Sequence, residues 1–178
     1  SLREASEYGL FRLPEKVRQV FDFRDYMNEI TYQNIAETCR VIKAGSTPGK
    51  IVGIYYGYSL LYAGKQSTMQ MGGLQNMGKV FANPDIDFIA TPLDYVHRRG
   101  GEAGLNINGY NGSARLHRKM IWQENDLRTH FLISPNFGRT ADMKETLSVL
   151  NRGLGHVLTN GGGIWWNLLE GNALFHEA

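Results

Sequence analysis

Residues 51–56 read IVGIYY, a continuous apolar run that follows Gly49. An apolar run of this length, without alternating polar positions, is typical of a strand that is covered on both faces in a parallel sheet. The residues before it, 22–43, repeat apolar side chains at helical spacing, with Asp22 in the position of an N-cap and Pro48 beyond the end. This part of the sequence therefore predicts a helix that leads into a buried strand.

The same alternation of helix and strand patterns continues along the chain. Apolar positions within 74–81 predict a second helix, which Pro84 closes, and a Gly/Asn-rich loop separates the second strand from the third. Another helix is predicted to start near Thr140 and to end at Gly161. The predicted strands are 51–56, 87–91, 119–123 and 163–168. Strands separated by helices indicate right-handed βαβ units, so we expect an α/β fold with about four parallel strands, either a free-standing doubly wound sheet or a piece of a barrel.

Length and composition indicate a soluble globular domain with a hydrophobic core. The 178 residues are 42% hydrophobic and 20% charged, and the formal net charge is +2. So small a charge does not indicate a nucleic-acid or anionic-membrane partner, and no apolar run is long enough to cross a bilayer. The single cysteine, Cys39, is predicted to pack within a helix, and the five histidines lack the spacing of a metal site. We therefore expect no metal, cofactor, nucleic acid or membrane partner, while the compartment stays open.

Chemically active side chains follow the predicted strands. In parallel α/β folds the reactive groups lie at the C-terminal ends of strands, and here all four ends carry aromatic residues and three carry a carboxylate. Aromatic faces beside carboxylates suit a sugar, whose C–H faces stack on rings. For each aromatic taken alone, packing in a core is the alternative. The residues at these ends that we expect to contact a substrate are Tyr58, Asp94, Tyr95, Trp122, Asp126, Arg128, Trp165 and Trp166.

Glu124 is the most informative of the strand-end residues. It is predicted to lie directly after the third strand, with Asp126 and Arg128 close in sequence. A neighbouring cation can hold a carboxylate ionised, as a nucleophile at an anomeric carbon requires. A salt-bridge cluster on a surface loop is the alternative for the same residues.

Taken together, four segments resemble the second half of the (β/α)₈ barrel in β-galactosidase-like glycoside hydrolases of clan A, close to family 42. These segments are 51–58, 85–95, 119–129 and 153–168, and the resemblance extends from about residue 10 to residue 170. It implies that Glu124, within a Trp-x-Glu-x-Asp-x-Arg-Thr stretch, is the strand-seven nucleophile. It also implies that Tyr95 is the strand-six tyrosine and that Trp165 and Trp166 are the strand-eight tryptophans.

The resemblance has one departure, which concerns the general acid/base. In the family this glutamate follows strand four, usually as an Asn-Glu pair, and that strand would lie upstream of Ser1. The Asn28-Glu29 pair of this chain lies in the first predicted helix, where we expect a solvated face. The chain is therefore expected to be half of a TIM barrel and a fragment of a larger enzyme. Its predicted parts within a single domain, 1–178, are a leading loop at 1–21, βα units at 22–170 and a tail at 171–178.

The sequence thus predicts a retaining glycoside hydrolase that acts on a carbohydrate substrate and associates with a second copy or with the missing N-terminal half. A non-catalytic α/β module, which binds carbohydrate or assembles with a partner, is the main alternative, and the missing acid/base supports it. A nucleotide-binding doubly wound domain is a third possibility. Against this possibility, the present chain lacks the glycine-rich strand-to-helix turn of such domains, because its glycines at 161–163 precede a strand.

Overall fold

The computed structural model describes residues 14–56, 72–93, 97–102, 110–132 and 138–167. Within these ranges four helices alternate with four strands. The helices are α1 (Pro14–Gly45), α2 (Met77–Ala82), α3 (Asn111–Leu116) and α4 (Met143–Thr159). The strands are β1 (Gly53–Tyr55), β2 (Phe88–Pro92), β3 (Met120–Asn125) and β4 (Gly163–Trp166).

The four strands form one parallel sheet in the order β1-β2-β3-β4. Each strand therefore lies beside its neighbours in the chain, and the order does not reverse as it does at the switch point of a doubly wound sheet. The predicted α/β fold with alternating βα units and a four-stranded parallel sheet is confirmed.

The hydrophobic core lies on one side of this sheet. Ile89 of β2 and Ile121 of β3 are adjacent in register and almost fully buried. They belong to a cluster with side chains from the first three helices, among them Cys39, Val80 and Ala114. The predicted packing role of Cys39 is therefore confirmed, since its side chain is buried in this core.

The other side of the sheet carries the alternate residues of each strand, because successive side chains of a strand point to opposite faces. Burial in β3 alternates accordingly: Ile121, Gln123 and Asn125 are buried, whereas Met120, Trp122 and Glu124 are partly exposed. We call this side the aromatic face. Its defining residues are Tyr55, Phe88, Trp122, Glu124 and Trp165, which share it through the strand register.

Helix α4 is capped by hydrogen bonds at both ends, from a side chain at its N-terminus and from the backbone at its C-terminus. At the N-terminus Asp142 accepts a bond from the Glu145 amide at 2.8 Å. At the C-terminus Gly161 has φ 69° and its amide donates to Leu158, while Gly162 donates to Val157, which together make a Schellman motif. Gly161 therefore ends the helix as predicted, and β4 begins directly afterwards.

Three local expectations are wrong. Helix α1 begins at Pro14 and has a kink at Val17, so Asp22 lies inside the helix instead of capping it, and the helix already starts within the segment predicted as a leading loop. Asn28 is 5% exposed, because its side chain exchanges two hydrogen bonds with Gln75, so the predicted solvated face is in fact a contact face. Helix α3 lies within the stretch predicted as a loop.

Candidate active site

Glu124 lies within β3, next to its last residue, and does not follow the strand as the sequence suggested. The strand continues through it because both neighbours extend the ladder: Glu124 is in register with Pro92 of β2 and with Trp165 of β4. Its position two residues beyond Trp122 places its side chain on the aromatic face. The carboxylate is therefore at the C-terminal end of the sheet, on the side opposite the helical core.

Asn167 holds one oxygen of this carboxylate. Its Nδ2 atom donates to Oε1 of Glu124 at 2.8 Å. Asn167 comes directly after β4, and its backbone amide donates to the carbonyl of Asn125 at 3.0 Å, which continues the ladder past the end of the strand. Sequence reasoning did not single out Asn167. The available signal was its spacing of two residues from Trp165, which places both side chains on one face.

Aromatic rings cover the aromatic face next to Glu124. The rings of Trp122 and Trp165 meet edge-to-face with centroids 5.9 Å apart, and Tyr55 meets Trp165 in the same way at 6.0 Å. Phe88 lies 4.9 Å from Trp122. Together with Gly53 and other residues they line a cavity of about 270 Å³. This volume is close to the lower end of the range for small-molecule sites.

Two glycines make room for these rings. A Cβ atom built on Gly53 would lie 2.1 Å from the ring of Phe88, and one built on Gly163 would lie 3.2 Å from Trp122. Each glycine is in register with the aromatic residue of the neighbouring strand. The rings therefore lie over the glycine backbones; a side chain at Gly53 would force the Phe88 ring to move, and one at Gly163 would be in tight contact with Trp122.

Tyr55 responds to the charge of Glu124. The pKa of its phenol is raised, first by burial, which disfavours the phenolate, and second by the negative charge of Glu124. Tyr55 is nevertheless 58% exposed. It is therefore an exposed phenol that lies within the electrostatic reach of the carboxylate, and it belongs to the aromatic face, although the sequence assigned the contact after the first strand to Tyr58.

Asp126 and Arg128 form a separate buried ion cluster. Asp126 is 3% exposed, and its Oδ1 atom accepts from Nη1 of Arg98 at 2.8 Å. Arg128 lies 3.4 Å from the other carboxylate oxygen and also donates to the Asp126 carbonyl at 3.1 Å. Arg98 itself is 1% exposed and was not predicted. A hydrogen bond to Glu124 comes from Asn167, and the cluster around Asp126 is buried instead of lying on a surface loop.

The structure brings together only some of the residues predicted for the site. Glu124, Trp122 and Trp165 share the aromatic face, whereas Trp166 has the opposite parity and is 49% exposed on the other side of the sheet. Trp166 therefore does not join Trp165 in one binding surface. Tyr58, Asp94 and Tyr95 lie outside the described residues.

The described ranges contain no group of three or more His, Cys, Asp or Glu side chains placed to hold a metal ion. Within the same ranges, no helix combines the length and apolar composition that crossing a membrane requires.

Comparison with known proteins gives no assignment. No family model matches this chain, and no curated protein or solved structure is significantly similar to it. Function is therefore inferred from the residues and geometry of the site.

Proposed function

We propose that this chain is the second half of the catalytic barrel of a retaining glycoside hydrolase and that Glu124 is its nucleophile. The observation that carries the proposal is the place of Glu124. Its carboxylate lies at the C-terminal end of a parallel sheet, on the same face as Trp122 and Trp165, with one oxygen held by Asn167.

The topology supports a barrel origin. Four consecutive strands of a (β/α)₈ barrel are parallel, lie in sequence order and carry their helices on the outer side. The order β1-β2-β3-β4 and a helical core on one side of the sheet have this form. In the proposed barrel the aromatic face is the inner side, and the C-terminal ends of the strands form the rim on which substrates bind.

The proposed chemistry is a double displacement. An oxygen of Glu124 bonds to the anomeric carbon while the glycosidic C–O bond breaks, and the departing oxygen takes a proton from a general acid. Water, deprotonated by the same group acting as base, then releases the sugar from Glu124. The second carboxylate is the glutamate that the resemblance places upstream of Ser1. Trp122 and Trp165 offer ring faces and edges to the C–H groups of the sugar.

The proposed partner is a complementary half of the barrel. Among the described strands, β1 and β4 each have a neighbour on one side only, and the aromatic face is partly exposed. Open strand edges and exposed apolar surface favour association. We propose that a missing N-terminal half or a second copy of the chain supplies the remaining strands.

The proposal is tested by trapping the covalent intermediate. A 2-deoxy-2-fluoroglycoside with a dinitrophenolate leaving group forms the glycosyl-enzyme without needing a general acid, so it is applied to the associated protein, in which the proposed barrel is complete. Fluorogalactoside and fluoroglucoside reagents are compared, followed by peptide mass spectrometry. We expect the sugar on Glu124, no labelling of Glu124→Gln, and normal labelling of Glu37→Gln, which changes an exposed glutamate of α1. Labelling at a different carboxylate, or none with either reagent, contradicts the proposal.

A non-catalytic carbohydrate-binding module is the second candidate. The observation that favours it is that Glu124 is the one carboxylate among the described residues of the aromatic face, whereas retaining hydrolysis uses two. For such a module Glu124→Gln retains sugar binding by calorimetry and the fluoroglycosides leave the protein unmodified. For the enzyme, the fluoroglycosides label the wild-type chain.

A further inference from the structure

We infer that Asn167 is the positioning residue of the Glu124 carboxylate, an inference that rests on the proposed role of Glu124 as nucleophile. The Nδ2 atom of Asn167 lies 2.8 Å from Oε1 of Glu124. Residue 167 has the parity of Trp165, so both side chains leave the chain on the aromatic face. Asn167 thus approaches the carboxylate from the neighbouring strand, at the level where substrate meets the rim.

An amide is chemically suited to this position. An ionised carboxylate only accepts hydrogen bonds, so a side-chain amide N–H is a matching donor. The amide of Asn167 donates without carrying a charge or a titratable proton, so it does not protonate the nucleophile. Because the bond occupies Oε1, the rotation of the carboxylate is restricted and Oε2 remains for attack on the anomeric carbon.

The backbone of Asn167 is held independently of its side chain. Its amide donates to the carbonyl of Asn125 at 3.0 Å and continues the pairing of β3 with β4. The chain therefore keeps its path after Trp166 when the side chain is shortened. Positioning can therefore be tested separately from folding. Loss of the Nδ2 donor frees the orientation of the Glu124 carboxylate and leaves the end of the sheet in place.

The test measures how fast the fluoroglycoside modifies Glu124 in Asn167→Ala. We expect the first-order inactivation constant to fall about tenfold to a hundredfold, the size that loss of an orienting hydrogen bond usually has, while the binding constant of the reagent is unchanged. Thermal unfolding of the variant is measured in parallel. A wild-type inactivation constant in a folded Asn167→Ala overturns the inference and leaves the proposed function intact.

Asn167→Asp gives an independent readout through pH. It replaces the donor with a second carboxylate of the same shape beside Glu124, and like charges favour protonation of one partner. The acid limb of the labelling rate is expected to move to higher pH, because the new carboxylate lies within hydrogen-bond distance of Oε1 of Glu124. Asn34→Asp adds the same charge to an exposed position of α1 and is expected to leave the limb in place. Equal behaviour of the two variants overturns the inference.

The hydrogen bond is also measured without any sugar. The side-chain amide signals of Asn167 in nitrogen–proton NMR spectra are expected to shift as Glu124 protonates, and this shift is lost in Glu124→Gln. If the chemical shifts of the Asn167 amide do not change with pH, the inference is overturned, whatever the labelling experiment shows. A shifting amide in a chain that no reagent labels overturns the proposed function, and the positioning role falls with it.

Discussion

The Arg98–Asp126 pair shows what a buried charge requires of its surroundings. Both side chains are almost completely removed from solvent, with relative exposures of 1% and 3%. Desolvation of two ions costs several kcal/mol each, and only close contacts with good geometry offset this cost. The two arginines around Asp126 provide such contacts at 2.8 Å and 3.4 Å. The carboxylate is therefore the centre on which the cluster depends.

Asp126→Asn is expected to lower the free energy of unfolding by about 3–5 kcal/mol, because it removes the negative charge that lies 2.8 Å from the buried guanidinium of Arg98. Urea unfolding measures the change. Asp22→Asn is the matched control, since Asp22 pairs with Arg18 on the exposed surface of α1 and such pairs contribute about 0–1 kcal/mol. Similar losses in the two variants contradict the buried pair.

Tyr55 provides an optical report of the charge on Glu124. Burial and the Glu124 carboxylate both raise the pKa of its phenol, so removal of that negative charge in Glu124→Gln is expected to lower this pKa part of the way toward its ordinary value. Ultraviolet titration of the protein minus that of Tyr55→Phe isolates the phenol, and Glu37→Gln is the control. An unchanged titration of Tyr55 contradicts its place beside Glu124.

At the scale of the elements, the packing of neighbouring strands depends on glycine positions, where no side chain competes with an aromatic ring for space. The ring of Phe88 lies over Gly53, and Gly53→Ala places a methyl group on it at 2.1 Å. We expect a loss of about 1–3 kcal/mol in the free energy of unfolding, because a ring this close has to move. Gly155→Ala in α4 meets no atom within 4 Å and is expected to stabilise by about 0.5–1 kcal/mol. Opposite signs support the contact, and a neutral Gly53→Ala rules it out.

The elements were predictable where a local pattern dictates them. The apolar runs of β1 to β4 and the glycine after α4 depend on nearby residues, and all were predicted close to their observed bounds. Helix α3 was not, because its six residues contribute only Ala114 to the core and carry no helical repeat. The start of α1 at Pro14 was also missed, since an internal Asp22 resembles a cap.

The residues of the site were predictable where they lie near the ends of strands and where the alternation of side chains along a strand sets the face on which they lie. Glu124, Trp122 and Trp165 were named from their places along two strands, and the structure puts them on one face. Arg98 and Asn167 were not named, because each reaches its partner across the fold, over 28 and 43 positions of sequence. Trp166 was grouped with Trp165 as a substrate contact, but the two lie on opposite faces of the sheet, because neighbours in a strand point apart.

For the whole molecule, the exposed aromatic face and the strand edges predict association. Light scattering is expected to show species larger than the monomer, and Tyr55→Lys on the aromatic face is expected to reduce them. Leu116→Lys is the control, because Leu116 is 85% exposed on α3, outside that face. A monodisperse monomer, with slow amide exchange in both β1 and β4, means that the edges are covered within the chain and contradicts the half-barrel.

The order β1-β2-β3-β4 also governs how the protein forms during translation. Among the described strands, each one after β1 pairs with the strand made just before it, so none of them waits for a later segment to fill a gap between them. The pairing of β1 with β2 is available while β3 and β4 are still being synthesised, and every later unit adds to an existing edge. The sheet can therefore form during translation from β1 onward, and each new strand is added at the edge formed by the strand synthesised just before it.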